Sequence, residues 1–404
     1  MPIYKIIRIP FLILITVVMV RCIEPYEPEV VDYESILVVD GLYNNSDNPS
    51  IIILSRSFGY EEDIPEYIDN AQVIIEDDLG KTMNLLPMGK GLYQTDPLTQ
   101  RGEIGRSYRL LINAPGGSRY ASEWETMLPA SPIGEVKIEY QERELNDPDA
   151  IGLKGTQIFL SNEDTEREVS FYKWEFEETY QYIAIYNPDI QAVFGSSPGG
   201  GEDEIIRIPL SRFQGPNCYK TETSTEILIA STEGLLENKI SRFPLAFVSN
   251  ETPRLYLKYS SLIKQFSISK KYHENLRKIA EINQTSGSLF DPIPNEIFGN
   301  IKSIDNEREP VLGYFGVGGF SEKRIFIDRR DLPLEFSAPF GPHCEPDTLS
   351  LDFNDLYHRT KNGHYALSTY ELNMMGNPVG YIISAPECVL CSASNATHQV
   401  PDFW

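Results

Sequence analysis

Between Phe171 and Tyr186 the sequence reads FYKWEFEETYQYIAIY, and its side chains alternate. Tyr172, Trp174, Phe176 and Glu178 fall on one face, and Lys173, Glu175 and Glu177 on the other. A period of two belongs to a strand with one buried face; a helix would scatter these rings around its circumference. Shorter runs of the same kind recur on both sides of it. Ser35 to Val39 leads into Asp40-Gly41, which reads as a strand ending in a turn. Ile51 to Leu54, Ala71 to Glu76, Gly91 to Gln94, Ser107 to Ile112 and Tyr120 to Trp124 follow, each bounded by Gly, Pro, Asn or Asp. The 23 Tyr and 19 Phe against only 7 Met suit half-buried strands better than a helical bundle.

A chain of 404 residues exceeds one ordinary core. The expected architecture is mainly β. An Ig-like or transthyretin-like β-sandwich over residues 33–128 is followed by a PASP linker at 129–132. A larger β-sandwich domain over 133–370 comes next, with strands at 136–140, 155–160, 171–186, 226–230, 243–248 and 254–260. The helical insertion lies near 269–283, where Tyr272, Leu276, Ile279 and Ile282 recur at helical spacing. Residues 187–204, with Gly199 to Gly201, read as a loop and 286–299 as a Pro-punctuated connector. Val311 to Phe315 and Arg324 to Ile327 read as two paired strands. Residues 371–404 form a C-terminal Cys-x-x-Cys tail.

The first residues indicate export. Lys5 and Arg8 precede the apolar run Ile9 to Val20, too short to span a bilayer but of signal-peptide length. Residues 1–21 are therefore expected to be a signal peptide and Cys22 a lipidation site, although Arg21 stands where a small residue is usual. The acidic, Pro-rich residues 22–32 suit an extended tether. Four further cysteines, Cys218, Cys344, Cys388 and Cys391, are disulfide candidates in an oxidising compartment, with all three pairings open.

A net charge of −24 excludes a phosphate-reading surface, so no nucleic acid is expected as a partner. Membrane attachment would need the lipid. No catalytic set is recognised, no cofactor or metal is expected, and the protein reads as no enzyme. His273, His343, His358, His364 and His398 are scattered. A Cys₃His zinc set from His343, Cys344, Cys388 and Cys391 ranks below disulfides in an exported chain. Ser267-Ile-Ser-Lys270 lacks the companion motifs of penicillin-binding enzymes. The glycines at 313, 316, 318 and 319 have strands on both sides and open no helix, so they make no phosphate loop. Asp77-Asp78 and Glu61-Glu62-Asp63 read as solvated turns rather than Ca²⁺ ligands. The aromatics of 171–186 offer an alternative carbohydrate platform.

Cys22-Ile-Glu-Pro-Tyr-Glu-Pro, ILVVDGL at 36–42, LYQTDPLTQRGEIGRSYRL at 92–110 and FYKWEFEETY at 171–180 form a recognisable set. SGSLFDP at 286–292, EPVLGYF at 309–315, EKRIFIDR at 322–329 and CVLCSASNATHQVPDFW at 388–404 extend it. In these the chain resembles the domain of unknown function 4249 family, lipoproteins of Bacteroidetes often encoded beside TonB-dependent receptors. The resemblance implies outer-membrane placement by a lipid anchor and assigns no activity. Acidic residues after Cys22 resemble a surface-export signal, so the cell surface is expected, with the periplasmic face as the alternative. The expected function is a non-catalytic binding or accessory subunit near a TonB-dependent transporter or neighbouring lipoprotein; the alternative is an adhesin or glycan-binding module.

Overall fold

The computed structural model describes residues 35–57, 65–143, 153–164, 169–186, 188–194, 204–208, 215–285, 297, 299–334 and 336–404. The expected signal peptide, the tether with Cys22, Glu61-Glu62-Asp63, the Gly199 to Gly201 run and most of the 286–299 connector lie outside these residues. The protein is mainly β, with two sandwiches and few helices.

In the first sandwich, strands Leu37–Asn44, Ile51–Arg56 and Leu92–Gln94 pair side by side, and Gln72–Asp77, Ser107–Asn113 and Arg119–Ser122 form the facing sheet. Alternation decides which side chains meet between them: Leu37, Val39 and Tyr43 from one strand, Ile52 and Leu54 from the next, Leu110 and Ile112 from the other layer. The turn expected at Asp40-Gly41 is absent. The strand runs through it, because Gly41 pairs with Ile52 on one side and Phe315 on the other; a Cβ there would stand 2.2 Å from Ile52 Cδ1.

Residues 33–128 do not complete this sandwich by themselves. Ile301–Ser303 pairs with Arg119–Ser122, and the start of Val311–Asp328 runs parallel to Leu37–Asn44. Ile301, Val311, Phe315 and Val317 enter its core. Val311–Asp328 is one strand of 18 residues, not the expected pair. Its second half pairs antiparallel with Lys258–Ser267 in the other sandwich, so one strand belongs to both. The glycines that read as an interruption are points of close approach. A Cβ on Gly319 would lie 2.2 Å from Leu128 O and 2.7 Å from Ala130 N. Gly319→Val should therefore cost about 2–3 kcal/mol through overpacking against backbone that cannot rotate away, read as a lower urea midpoint.

The second sandwich is built around Phe171–Ile183, flanked by Asn217–Thr223 and Lys258–Ser267. Val136–Arg143, Leu153–Glu163 and Lys239–Ser249 form the opposing sheet. Tyr172, Trp174, Tyr180 and Tyr182 point into the core against Ile158, Leu160 and Val248. Where a strand was expected from Arg254, Pro253–Leu255 forms a single helical turn, with Pro253 at a position that needs no N–H donor; Lys258–Ser267 follows. The 129–132 linker is not a loose one. Ser131 is 4% exposed, and its carbonyl accepts from Gln265 Nε2 at 2.8 Å and Ser321 Oγ at 2.7 Å.

A third, smaller core contains Ile190, Leu349, Leu356, Tyr381 and Ile383. It joins the antiparallel pair Ile190–Val193 and Glu204–Arg207, the first of which lies within the expected loop at 187–204, to the sheet of Asp347–Leu349, Pro378–Ser384 and Ala366–Leu372. The helix Phe353–Thr360, capped by the Asp352 side chain, packs there. The expected tail at 371–404 is thus partly a folded sheet. The helix Lys270–Thr285 matches the expected insertion and buries Tyr272 and Leu276, the Tyr272 ring stacking on Tyr314 at 4.8 Å.

Candidate functional site

A cleft of about 260 Å³ opens where the sheet passes from one sandwich to the other. Clefts at such junctions are favoured ligand sites. One wall comes from the outward-facing residues of the first sandwich, Asp40, Leu42, Ile51 and Ile53, and from the loop carrying Asn44, Ser46 and Asn48. The other comes from the outward face of the second, where Lys173, Glu175, Lys264 and Phe266 sit on paired strands and Phe320 on the shared one. Alternation explains the placement: residues between the core aromatics of Phe171–Ile183 must face the other way.

The rim is pre-ordered. Asn44 Oδ1 accepts from Ser46 N at 2.8 Å, Ser46 Oγ accepts from Asn48 N at 3.2 Å, and Ser50 Oγ accepts from Asn44 N at 3.1 Å. Across the gap, Asn45 Oδ1 accepts from Phe320 N at 2.8 Å and ties the loop to the shared strand. On the floor, Lys173 Nζ donates to Glu175 Oε1 at 2.6 Å. Burial works against the charge of Lys173, but Tyr272, Glu175 and Asp40 outweigh it and hold its pKa above the usual lysine value. It is therefore a fixed ammonium rather than a neutral amine ready to act as base or nucleophile. Lys264 is held more loosely, 3.8 Å from Glu177 Oε2, and the exposed Asp40 acts on Lys173 through space without an ion pair among the described residues.

Beside the cleft, Tyr314 donates to Glu125 Oε1 at 2.5 Å. Burial raises the Glu125 pKa, and hydrogen bonds from Tyr314 and Ser269 with the charge of Lys271 reverse this only in part. A raised pKa means that the folded state holds this proton more tightly. Its stabilisation is present below the ordinary carboxylate range and is lost as pH rises through the raised value. Glu125→Gln should accordingly be at least as stable as wild type in urea at neutral pH, with the difference closing as the pH is lowered through the carboxylate range.

The residues singled out in the sequence are placed apart from this cleft. The four cysteines form Cys218–Cys391 and Cys344–Cys388, so the two members of Cys388-x-x-Cys391 take different partners. That pairing removes the His343 and Cys₃ zinc alternative. Disulfides of this kind persist in oxidising compartments. Among the described residues, no helix is long and apolar enough to cross a membrane. The ligand-type atoms of Cys218, Cys391 and His398 lie within 4.8 Å of one another, but the sulfurs are bonded together.

His273 is buried against Phe171, and burial lowers its pKa. His343 faces Glu345 at 3.2 Å on the surface, and His358 lies on the helix Phe353–Thr360. His364 lines a second, more open groove of about 630 Å³ with Tyr365, Glu387 and Leu390. Ser267 is buried, whereas Lys270 reaches out to Glu233 at 2.5 Å, so the Ser-x-x-Lys pair does not converge. Arg106 fills the Asp77-Asp78 turn, 2.9 Å from Asp77 and 2.5 Å from Asp78. Of the aromatics of 171–186 that suggested a carbohydrate platform, Tyr172, Trp174, Tyr180 and Tyr182 are turned into the core.

In the sequence Lys173 and Glu175 read only as the charged face of a strand and Asp40 as part of a turn, and Lys264 was not singled out. The one available signal was Lys173, a lone cation within an aromatic run. A family model described as Domain of unknown function (DUF4249) matches residues 23–324; it takes in both sandwiches and stops before Cys344, Cys388 and Cys391. No curated protein matches the chain.

Proposed function

Since the chain belongs to the domain of unknown function family DUF4249, we propose that it is a non-catalytic binding or accessory subunit of the outer membrane. In this reading residues 1–21 are removed on export, a lipid on Cys22 anchors the chain, and the sandwiches face the cell exterior. The partner is a TonB-dependent transporter or a neighbouring lipoprotein. What supports the reading most is the cleft, whose walls are ordered by their own hydrogen bonds and whose Lys173 ammonium is locked to Glu175. A surface fixed before its ligand arrives loses little freedom on binding.

The test is co-purification of the tagged full-length protein from gently solubilised outer membranes, with mass spectrometry of its N-terminus. A mature chain beginning at an acylated Cys22, recovered together with a transporter or lipoprotein, is expected. An intact Met1 in the cytosol, or recovery without any outer-membrane partner, would contradict it.

A further inference from the structure

The charges in the cleft are unequally committed. Lys173 and Glu175 neutralise each other at 2.6 Å. Lys264 stands 3.8 Å from Glu177, beyond hydrogen-bond reach, and the Asp40 carboxylate, which acts on Lys173 through space, makes no ion pair among the described residues. Each of these two groups reaches the cleft from a different sandwich, one negative and one positive, with Phe266 and Phe320 as apolar wall. A ligand that satisfied both groups would carry an ammonium and a carboxylate, with an apolar group between or beside them.

We propose that the cleft binds a small zwitterion, an α-amino acid or short peptide with free termini, its ammonium at Asp40 and its carboxylate at Lys264. The space fits: about 260 Å³ lies just below the roughly 300–1,000 Å³ of ordinary small-molecule pockets, which suits a ligand of one or two residues. Opposite charges drawn from two bodies also give orientation, since a reversed ligand would place like charges together. The proposal rests on the reading of this protein as a binding subunit and names what it binds.

The experiment is calorimetric titration of the purified, oxidised mature protein with the dipeptide phenylalanyl-alanine, its N-acetyl form, its C-terminal amide, and glucose. The free dipeptide is expected to bind, each blocked form at least about tenfold more weakly, and glucose not at all. Asp40→Asn should erase the difference between the free and N-acetylated peptides, and Lys264→Gln that between the free acid and the amide. Because blocking is done on the ligand, the wild-type comparison stands even if a variant folds poorly. Equal binding of free and blocked peptides, preference for glucose, or no binding of the dipeptide at millimolar concentration would overturn the proposal. Co-purification reads out separately. A partner recovered without dipeptide binding removes the zwitterion alone, whereas dipeptide binding without an outer-membrane partner removes the accessory role alone.

Discussion

Trp174→Ala should destabilise the protein by about 3–5 kcal/mol, read as a drop in the urea midpoint at unchanged slope. The indole is fully buried, 4.5 Å from the Phe243 ring and 5.5 Å from Tyr172, so truncation leaves a cavity that neighbouring strands cannot close. A polar penalty adds to it. Trp174 Nε1 donates to Gln265 Oε1 at 2.8 Å, and Gln265 Nε2 in turn donates to the Ser131 carbonyl of the linker. Removing the indole takes away the hydrogen-bond donor to the Gln265 oxygen, which is fully buried. Trp174→Phe keeps most of the volume and loses only that donor, so it should cost much less than the alanine. If the two substitutions cost the same, the hydrogen bond rather than the packing carries the effect.

The double substitution Cys218→Ser with Cys391→Ser is the second large loss, about 2–5 kcal/mol, measured as the difference in urea unfolding free energy under oxidising conditions. The bond joins residues 173 apart, so breaking it frees a long loop in the unfolded chain, and both sulfurs lie in the core of the second sandwich. Cys344–Cys388 closes only 44 residues, and the chain-entropy argument makes its loss about 1 kcal/mol smaller. The smaller loop lies inside the larger one, so the two losses should not add. The larger bond ties the C-terminal residues to Asn217–Thr223. That attachment is reinforced at the chain's end, where Phe403 lies over Arg324 at 3.5 Å and Trp404 over Lys258 at 4.7 Å.

Local chemistry was legible in the sequence; long-range pairing was not. Tyr172 and Trp174 were assigned to the buried face by alternation alone, and Glu178, placed on that same face, is met there by Arg254 Nε at 2.8 Å. The helix over Lys270–Thr285 was visible because a 3.6-residue stripe is a property of a single segment. The shared strand was missed for the opposite reason. Its pairing with Leu37–Asn44 is parallel and joins residues far apart in the chain, which no local pattern reports. Its glycines record contacts with Val39 and Leu128, and without those neighbours in view they read as a break. Disulfide pairing is likewise a fact of three-dimensional proximity. Lys264 escaped notice because an outward charge on a strand looks the same whether it faces water or a second domain, and Asp40 because Asp-Gly carries the local signature of a turn.

Everything proposed for the cleft requires the two sandwiches to behave as one unit through Val311–Asp328. Native-state hydrogen exchange compared between wild type and Trp174→Ala tests this directly, with the amides of Ser107–Asn113 in the first sandwich as reporters. Coupling through the shared strand predicts that their protection falls together with that of Phe171–Ile183, although Trp174 lies in the other core. Protection of Ser107–Asn113 that stays at the wild-type level while Phe171–Ile183 opens would contradict it.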